Sequence, residues 1–136
     1  MGNIKKLAII SSGNSDKFGA IIEYFKLRSD IEIICLSDNT DSDIFKLKAP
    51  EFVKTYQLKH NETEKFFKNN KFDLIVINNY KSQFNRNIYK LGKFINVHPS
   101  LLPAFEGNDA VYRAFAAGVR VSGVTIHTLT DNPRND

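Results

Sequence analysis

An asparagine and a histidine stand one residue apart at the end of the apolar run Phe94-Ile-Asn96-Val-His98. Side chains along a β-strand repeat every two residues, so Asn96 and His98 are predicted to share one face of a strand. An amide N–H and an imidazolium N–H both donate hydrogen bonds to an oxyanion, and together they can stabilise the tetrahedral intermediate of an acyl transfer. The spacing therefore indicates a candidate acyl-transfer site at a strand end.

The turn after this strand favours the same hypothesis. Pro99 ends the strand ladder, and the residues from Ser100 to Pro103 turn the chain away. Ser100 is therefore expected beside the pair at the carboxyl end of a buried strand, where open α/β sheets bind their ligands. A histidine in such a place is often a structural residue, and the pattern alone leaves both roles open. No serine or cysteine stands in a nucleophile elbow, so direct transfer between two bound substrates fits better than an acyl-enzyme.

A polar loop near the amino terminus is the second candidate site. It comprises Gly13, Asn14, Ser15, Asp16 and Lys17, between an apolar strand run and an apolar helical stripe. Free backbone N–H groups and the helix dipole attract anions to such a loop. The loop has neither a G-x-G-x-x-G sequence nor a Walker sequence, so an ordinary capped turn is the alternative interpretation.

The elements that position these residues alternate between strands and helices. Apolar runs predict strands near residues 7–10, 31–36, 52–58, 72–77, 94–97 and 121–129, the last with one wetter face because it alternates. Stripes at helical spacing predict helices near residues 18–25, 62–70, 84–91 and 110–117. Asp16 and Asn61 are predicted to cap the first two. This alternation predicts an α/β domain with a mostly parallel, open sheet flanked by helices.

Composition narrows the class of protein. The chain has 136 residues, enough for one domain, and a net charge of +4 from scattered basic residues, which suits an anionic small ligand better than a nucleic acid. Cys35 is the single cysteine and lies in an apolar run, which favours a reducing, cytoplasmic location. No apolar run approaches membrane-spanning length. His60, His98 and His127 lack metal-ligand spacing, so no metal is expected.

Several segments taken together carry a family resemblance. They are Ile10–Asn14, Ala20–Ile22, Asn96–Pro103, Phe105–Gly107, Asp109–Val111, Ala114–Gly118 and Val121–His127. These segments resemble the folate-dependent formyltransferases, and among them the phosphoribosylglycinamide formyltransferases. The match is dense near both ends of the chain and loose between about residues 38 and 93.

The resemblance implies a Rossmann-like sheet and a reaction. A formyl group passes from 10-formyltetrahydrofolate to the amine of glycinamide ribonucleotide, in purine biosynthesis. In this interpretation Asn96 and His98 are catalytic, and Ser100, Gly107 and His127 take supporting positions. The loop from Gly13 to Lys17 receives the phosphate of the ribonucleotide. The implied partners are two small molecules, with no metal, membrane or nucleic acid.

The third catalytic residue of the family is an aspartate shortly after the strand that holds His127. The family's spacing puts it at Arg134, so the candidates here are Asp136 and Asp131. Asp136 is favoured, because a loop two residues longer costs less than a lost carboxylate. The resemblance further implies that residues 1–136 form a single formyltransferase-type domain without the usual carboxyl-terminal extension.

Two other interpretations stay open at this point. An amino-sugar-nucleotide formyltransferase shares the Asn-x-His pair and the folate donor, but residues 12–14 and 109–111 favour the glycinamide enzyme. A relative that acts on transfer RNA is disfavoured, because the sequence supplies no basic nucleic-acid surface. A non-catalytic, truncated binding domain is the second alternative, and its exposed apolar sheet surface would favour a homodimer.

Overall fold

A single sheet organises the protein. The computed structural model describes residues 3–13, 16–28, 30–46 and 50–131. The strands are β1 (Lys6–Ser11), β2 (Glu32–Ser37), β3 (Val53–Gln57), β4 (Leu74–Asn78), β5 (Phe94–His98) and β6 (Thr125–Leu129). Their order in the sheet is β3-β2-β1-β4-β5-β6. Strands β1 to β5 run parallel and β6 runs antiparallel to β5, which confirms the predicted mostly parallel α/β sheet.

The helices are short. They are α1 (Asp16–Phe25), α2 (Thr63–Asn69) and α3 (Ala110–Ala116), with 3₁₀ segments at Asp43–Phe45, His60–Glu62 and Arg86–Leu91. The helix predicted near residues 84–91 is one of these 3₁₀ segments, because the side chain of Asn85 accepts the Asn87 N–H and favours a tight turn. The cap predicted for α2 is wrong, because Asn61 lies in the 3₁₀ turn before this helix and Glu62 is its N-cap residue. Asp16 begins α1, but its side chain lies outside what the structure describes, so the cap predicted there stays a prediction.

The core lies on both faces of the sheet. Leu7 and Ile9 of β1 pack with Phe18 of α1 on one face, while Ala8 and Ile10 pack with the α2 side on the other. This explains why the β1 sequence is continuously apolar rather than alternating, as a parallel strand covered on both faces requires. Within the described ranges, no helix has the length and apolar character needed to cross a membrane.

The strand order creates a crevice beside the centre of the sheet. After β1 the chain continues to β2 on one side, and β4 joins β1 on the other side. Ligands of open α/β sheets bind at such a switch point, outside the carboxyl ends of the strands. The residues that follow β1 and β4, together with the end of β5, therefore meet where a ligand is expected.

Strand β6 turns its polar side chains towards the site. Direct pairing with β5 decides which side chains of β6 face the site: His127 lies opposite Asn96, and Thr125 lies opposite His98. His127 and Thr125 are half-buried, whereas Ile126 between them is 66% exposed. The predicted alternation is present, but over a shorter strand, and Ile126 lies on the wetter face while Leu129 packs against the core. Directly opposed residues share one face, so the register on β5 decides this orientation.

Candidate active site

A cleft of about 950 Å³ opens at the carboxyl ends of β4 and β5. The residues of most consequence in its lining are Asn79, Asn96, His98, Gly107, Asp109 and Tyr112. Asn96 also lines a second cavity of about 360 Å³, which contains Phe84, Tyr89 and Leu129. The predicted Asn–His pair thus lies at a ligand-sized opening, and its asparagine stands where two cavities meet.

Asn96 is oriented by a neighbouring strand. Its Nδ2 lies 3.2 Å from Nε2 of His127, the residue paired with it in the sheet. An amide nitrogen donates only, so in this contact Nε2 of His127 is the acceptor. The second N–H of Asn96 remains available for a ligand. Nδ1 of His127 is buried and has no hydrogen-bond partner among the described residues.

His98 is held by the loop that follows it. Its Nε2 lies 3.0 Å from the carbonyl oxygen of Phe105, which can only accept, so Nε2 carries a hydrogen. Nδ1 is therefore the ring nitrogen left for chemistry. As a neutral imidazole it accepts a proton there, and as an imidazolium it donates to an oxyanion.

The turn from Ser100 to Phe105 sets the position of this carbonyl. The hydroxyl of Ser100 is buried and donates to the Ala104 carbonyl at 2.6 Å. Thr125 Oγ1 donates to the Ser100 carbonyl at 2.7 Å and accepts the Leu102 N–H at 3.1 Å. Ser100, which the resemblance places in a supporting position, therefore contacts the turn and is not part of the cleft lining.

Gly107 lies in the cleft wall where the chain approaches α3. Its φ of +78° is in the left-handed region that favours glycine, and Asp109 has a φ of +55°. Arg113 on α3 donates from Nε to the Asn108 carbonyl at 3.1 Å and also donates to the Glu106 carbonyl. The arginine thus ties the wall of the cleft to the helix behind it.

The predicted phosphate loop is described only in part. Gly13 follows β1, whereas Asn14 and Ser15 lie outside the described residues, and Asp16 and Lys17 begin α1 with side chains that the structure does not describe. The preceding Ser12 is buried and donates its N–H to the Asn79 carbonyl at 3.1 Å. This bond brings the start of the loop to the end of β4.

Asn79 is a cleft residue that the sequence analysis missed. It has a left-handed φ of +52°, and asparagine tolerates that conformation better than other non-glycine residues. A polar Asn78-Asn79 pair after a buried strand was the available signal, but strand periodicity does not extend into the turn where Asn79 lies.

The catalytic aspartate stays a prediction. Asp136 lies outside the described residues. Asp131 is exposed, forms an ion pair with Lys90 at 3.3 Å, and is not part of the cleft lining. Among the described residues there is no cluster of three or more histidine, cysteine, aspartate or glutamate side chains that could hold a metal ion.

Comparison with known proteins decides the family. A family profile described as formyl transferase matches residues 5–133. The chain belongs to the formyl transferase family. This formyltransferase chain is similar to the phosphoribosylglycinamide formyltransferase of Bacillus subtilis, with 33% identity over 144 aligned positions that cover 94% of this chain and 73% of the relative.

Solved structures agree with that family. Glycinamide ribonucleotide transformylase 1 from Geobacillus kaustophilus aligns with a TM-score of 0.79 and 27% identity, over 96% of this chain and 77% of that one. Phosphoribosylglycinamide formyltransferase from Bacillus halodurans gives a TM-score of 0.79 and 27% identity, over 94% and 73% of the two chains. The family resemblance predicted from residues 10–22 and 96–127, and the Rossmann-like fold that it implies, are therefore confirmed.

Proposed function

We propose that this formyltransferase transfers a formyl group from 10-formyltetrahydrofolate to the amine of glycinamide ribonucleotide, a step of purine biosynthesis. The observation that carries the proposal is the position of Asn96. This residue lines both cavities, and His98 lines the larger one beside it. A direct transfer needs donor and acceptor on either side of one polarising group. The relative from Bacillus subtilis, a phosphoribosylglycinamide formyltransferase, supports this choice of substrates.

The chemistry follows from the hydrogen-bond roles of Asn96 and His98. The acceptor amine attacks the formyl carbon, and the negative charge develops on the formyl oxygen. Asn96 donates its second N–H to that oxygen, and the His98 imidazolium donates from Nδ1 while Nε2–H stays on the Phe105 carbonyl. Collapse breaks the bond from the formyl carbon to the donor nitrogen, and the proton lost by the amine ends on that nitrogen. Asp136 remains the proposed carboxylate beside the imidazolium.

The smaller cavity has the lining expected for a flat heterocyclic donor. Tyr80 and Phe84 stack in it with ring centroids 4.7 Å apart and an interplanar angle of 6°. His60 forms a hydrogen bond with the tyrosine, with 2.9 Å between its Nδ1 and the phenolic oxygen of Tyr80. Burial, with a smaller contribution from Asp38, raises the pKa of Tyr80, so the phenol stays protonated and can donate to His60. These rings suit the folate co-substrate, whose ring system would stack on them.

The acceptor would occupy the larger cleft. Its phosphate is proposed to bind the loop of Gly13, Asn14, Ser15, Asp16 and Lys17, next to the switch point of the sheet. Its amine would then reach the formyl carbon beside the pair on β5.

Further proposals concern organisation and setting. The single sheet supports one domain. The buried free thiol of Cys35 supports a reducing, cytoplasmic setting. Exposed apolar side chains on β6 and in the segment before it support a homodimer, among them Val121, Val124 and Ile126.

The test is a formyl-transfer assay with 10-formyltetrahydrofolate and two acceptors, glycinamide ribonucleotide and an amino-sugar nucleotide. We expect turnover with the ribonucleotide and little with the sugar nucleotide. Asn96→Ala should lower this turnover by on the order of 10²–10³, while Asn61→Ala, at an exposed asparagine, serves as the matched control. Preference for the sugar nucleotide would overturn the acceptor, and no turnover with either would support a binding domain.

A further inference from the structure

We propose that the Asn79 carboxamide binds a ribose hydroxyl of the acceptor nucleotide, an inference that rests on the proposed function. Asn79 follows β4 directly, at the switch point between β4 and β1. It lines the same cleft as Asn96 and His98.

The first observation is how closely Asn79 contacts the phosphate loop. A Cβ built on Gly13 lies only 2.5 Å from Nδ2 of Asn79, so the carboxamide rests against the bare backbone of that glycine. The Asn79 carbonyl accepts the Ser12 N–H at 3.1 Å, which fixes the backbone of the two segments together. Asn79 is thus adjacent to the place proposed for the phosphate.

The second observation is how closely Asn79 follows the catalytic strand. In the parallel pairing of β4 with β5, Ile77 faces Asn96 and Asn78 faces Val97. Asn79 follows the last residue of β4 and lines the same cleft as Asn96 and His98. The carboxamide therefore stands between the phosphate loop and the reacting pair.

The covalent structure of the acceptor indicates which of its groups lies beside Asn79. In glycinamide ribonucleotide the ribose joins the phosphate at one end to the glycinamide amine at the other. With the phosphate at Gly13 and the amine near Asn96 and His98, the ribose must cross the position of Asn79. A carboxamide offers both donors and an acceptor, which matches a sugar hydroxyl. Asn79 is exposed, and within the described part of the chain its side chain makes no hydrogen bond that competes.

The left-handed backbone makes a clean variant available. Glycine adopts the φ of +52° at position 79 without strain, so Asn79→Gly removes the carboxamide and keeps the turn. The matched control is Asn61→Gly, an exposed asparagine in the 3₁₀ turn before α2. Gly13→Ala offers a second test, because its Cβ would displace the Asn79 carboxamide without deleting it.

The experiment measures binding of glycinamide ribonucleotide and of its 2-deoxyribose and 3-deoxyribose analogues by calorimetry, together with kcat and KM. We expect Asn79→Gly to weaken ribonucleotide binding about three- to tenfold, with KM raised and kcat little changed. Binding of one deoxy analogue should be almost unaffected by the variant. Gly13→Ala should weaken binding in the parent and less in the Asn79→Gly background.

The outcomes separate this inference from the proposed function. Equal affinities of parent and Asn79→Gly for all three ligands would overturn the inference, and so would an equal loss for all three, which places the contact elsewhere on the nucleotide. A parent that binds with the expected pattern but shows no transfer would overturn the proposed function alone. A parent that does not bind the ribonucleotide would overturn both.

Discussion

Asn96 and His127 stand directly opposite each other on β5 and β6, with 3.2 Å between Asn96 Nδ2 and His127 Nε2. One N–H of the Asn96 amide donates to the histidine, and this hydrogen bond fixes the direction of the second N–H. We therefore expect the histidine to act as a positioning residue, through the asparagine rather than on the formyl group.

A double-mutant cycle tests this relationship. Asn96→Ala should lower kcat by on the order of 10²–10³, the usual loss for an oxyanion donor. His127→Ala should lower kcat by about three- to tenfold, because the amide loses one orienting hydrogen bond. In the double variant kcat should equal that of Asn96→Ala, since the histidine then has nothing to orient. Losses that multiply would show that His127 acts independently of Asn96.

The second prediction concerns the Nδ1 donor of His98, which is free for the substrate because Nε2 donates to the Phe105 carbonyl. His98→Ala removes the Nδ1 donor, and kcat should fall by on the order of 10²–10³. His98→Asn keeps one amide N–H, so it should retain more activity than His98→Ala. The measurement is single-turnover transfer at saturating substrates. Near-normal turnover in His98→Ala would remove this residue from the mechanism.

The third prediction concerns the Thr125 hydroxyl, which stabilises the turn from Ser100 to Phe105 beside the site. Thr125 Oγ1 donates to the Ser100 carbonyl and accepts the Leu102 N–H. Thr125→Val leaves both backbone groups without this partner, so the free energy of unfolding should fall by about 1–3 kcal/mol. Thr125→Ser should recover most of the loss. Urea unfolding gives the values.

The control for that variant is Thr128→Val on the same strand. Thr128 is exposed and its hydroxyl makes no described hydrogen bond, so the same change should alter the free energy of unfolding by less than about 0.5 kcal/mol. Equal losses at the two positions would indicate a general effect of valine on β6 rather than a bridging hydroxyl.

The fourth prediction is a pH dependence of stability that arises from Cys35. Burial raises the pKa of this thiol to about 12 in the folded state, against about 8.5 in an unfolded chain. Above the unfolded value only the unfolded state loses the proton, so the free energy of unfolding should decrease as pH rises from about 8.5 towards 12, by up to about 1.4 kcal/mol per pH unit. Cys35→Ala should lack this contribution, and a thiol reagent should label the parent only as it unfolds.

Unfolding in urea at several alkaline pH values, with parent and Cys35→Ala compared, isolates the thiol from the other titrating groups. Parallel pH profiles for the two proteins would contradict the prediction. Fast labelling of the folded parent would contradict the burial on which it depends.

Much of the fold was predictable because its signals are local. The continuous apolar run from Leu7 to Ile10 predicts a strand covered on both faces, and β1 is one. The run near Val53 predicts a strand, and β3 confirms it. The Asn85 segment was misassigned, since a side-chain bond to the Asn87 N–H outweighs the helical spacing of its apolar residues.

The sequence by itself determined which side chains share a face and where the strand that carries them ends. Asn96 and His98 project alike because strand geometry repeats every two residues, a property of the backbone that needs no distant partner. The apolar runs likewise determined which strands are buried.

Only the tertiary structure decided which distant groups complete the site. The register between β5 and β6 sets His127 against Asn96, and the strand order sets Asn79 against Gly13. Both contacts join residues far apart in the chain, and they depend on sheet pairing between segments whose own patterns do not specify partners. Local periodicity therefore determines the orientation of Asn96 and His98, and long-range pairing determines their surroundings.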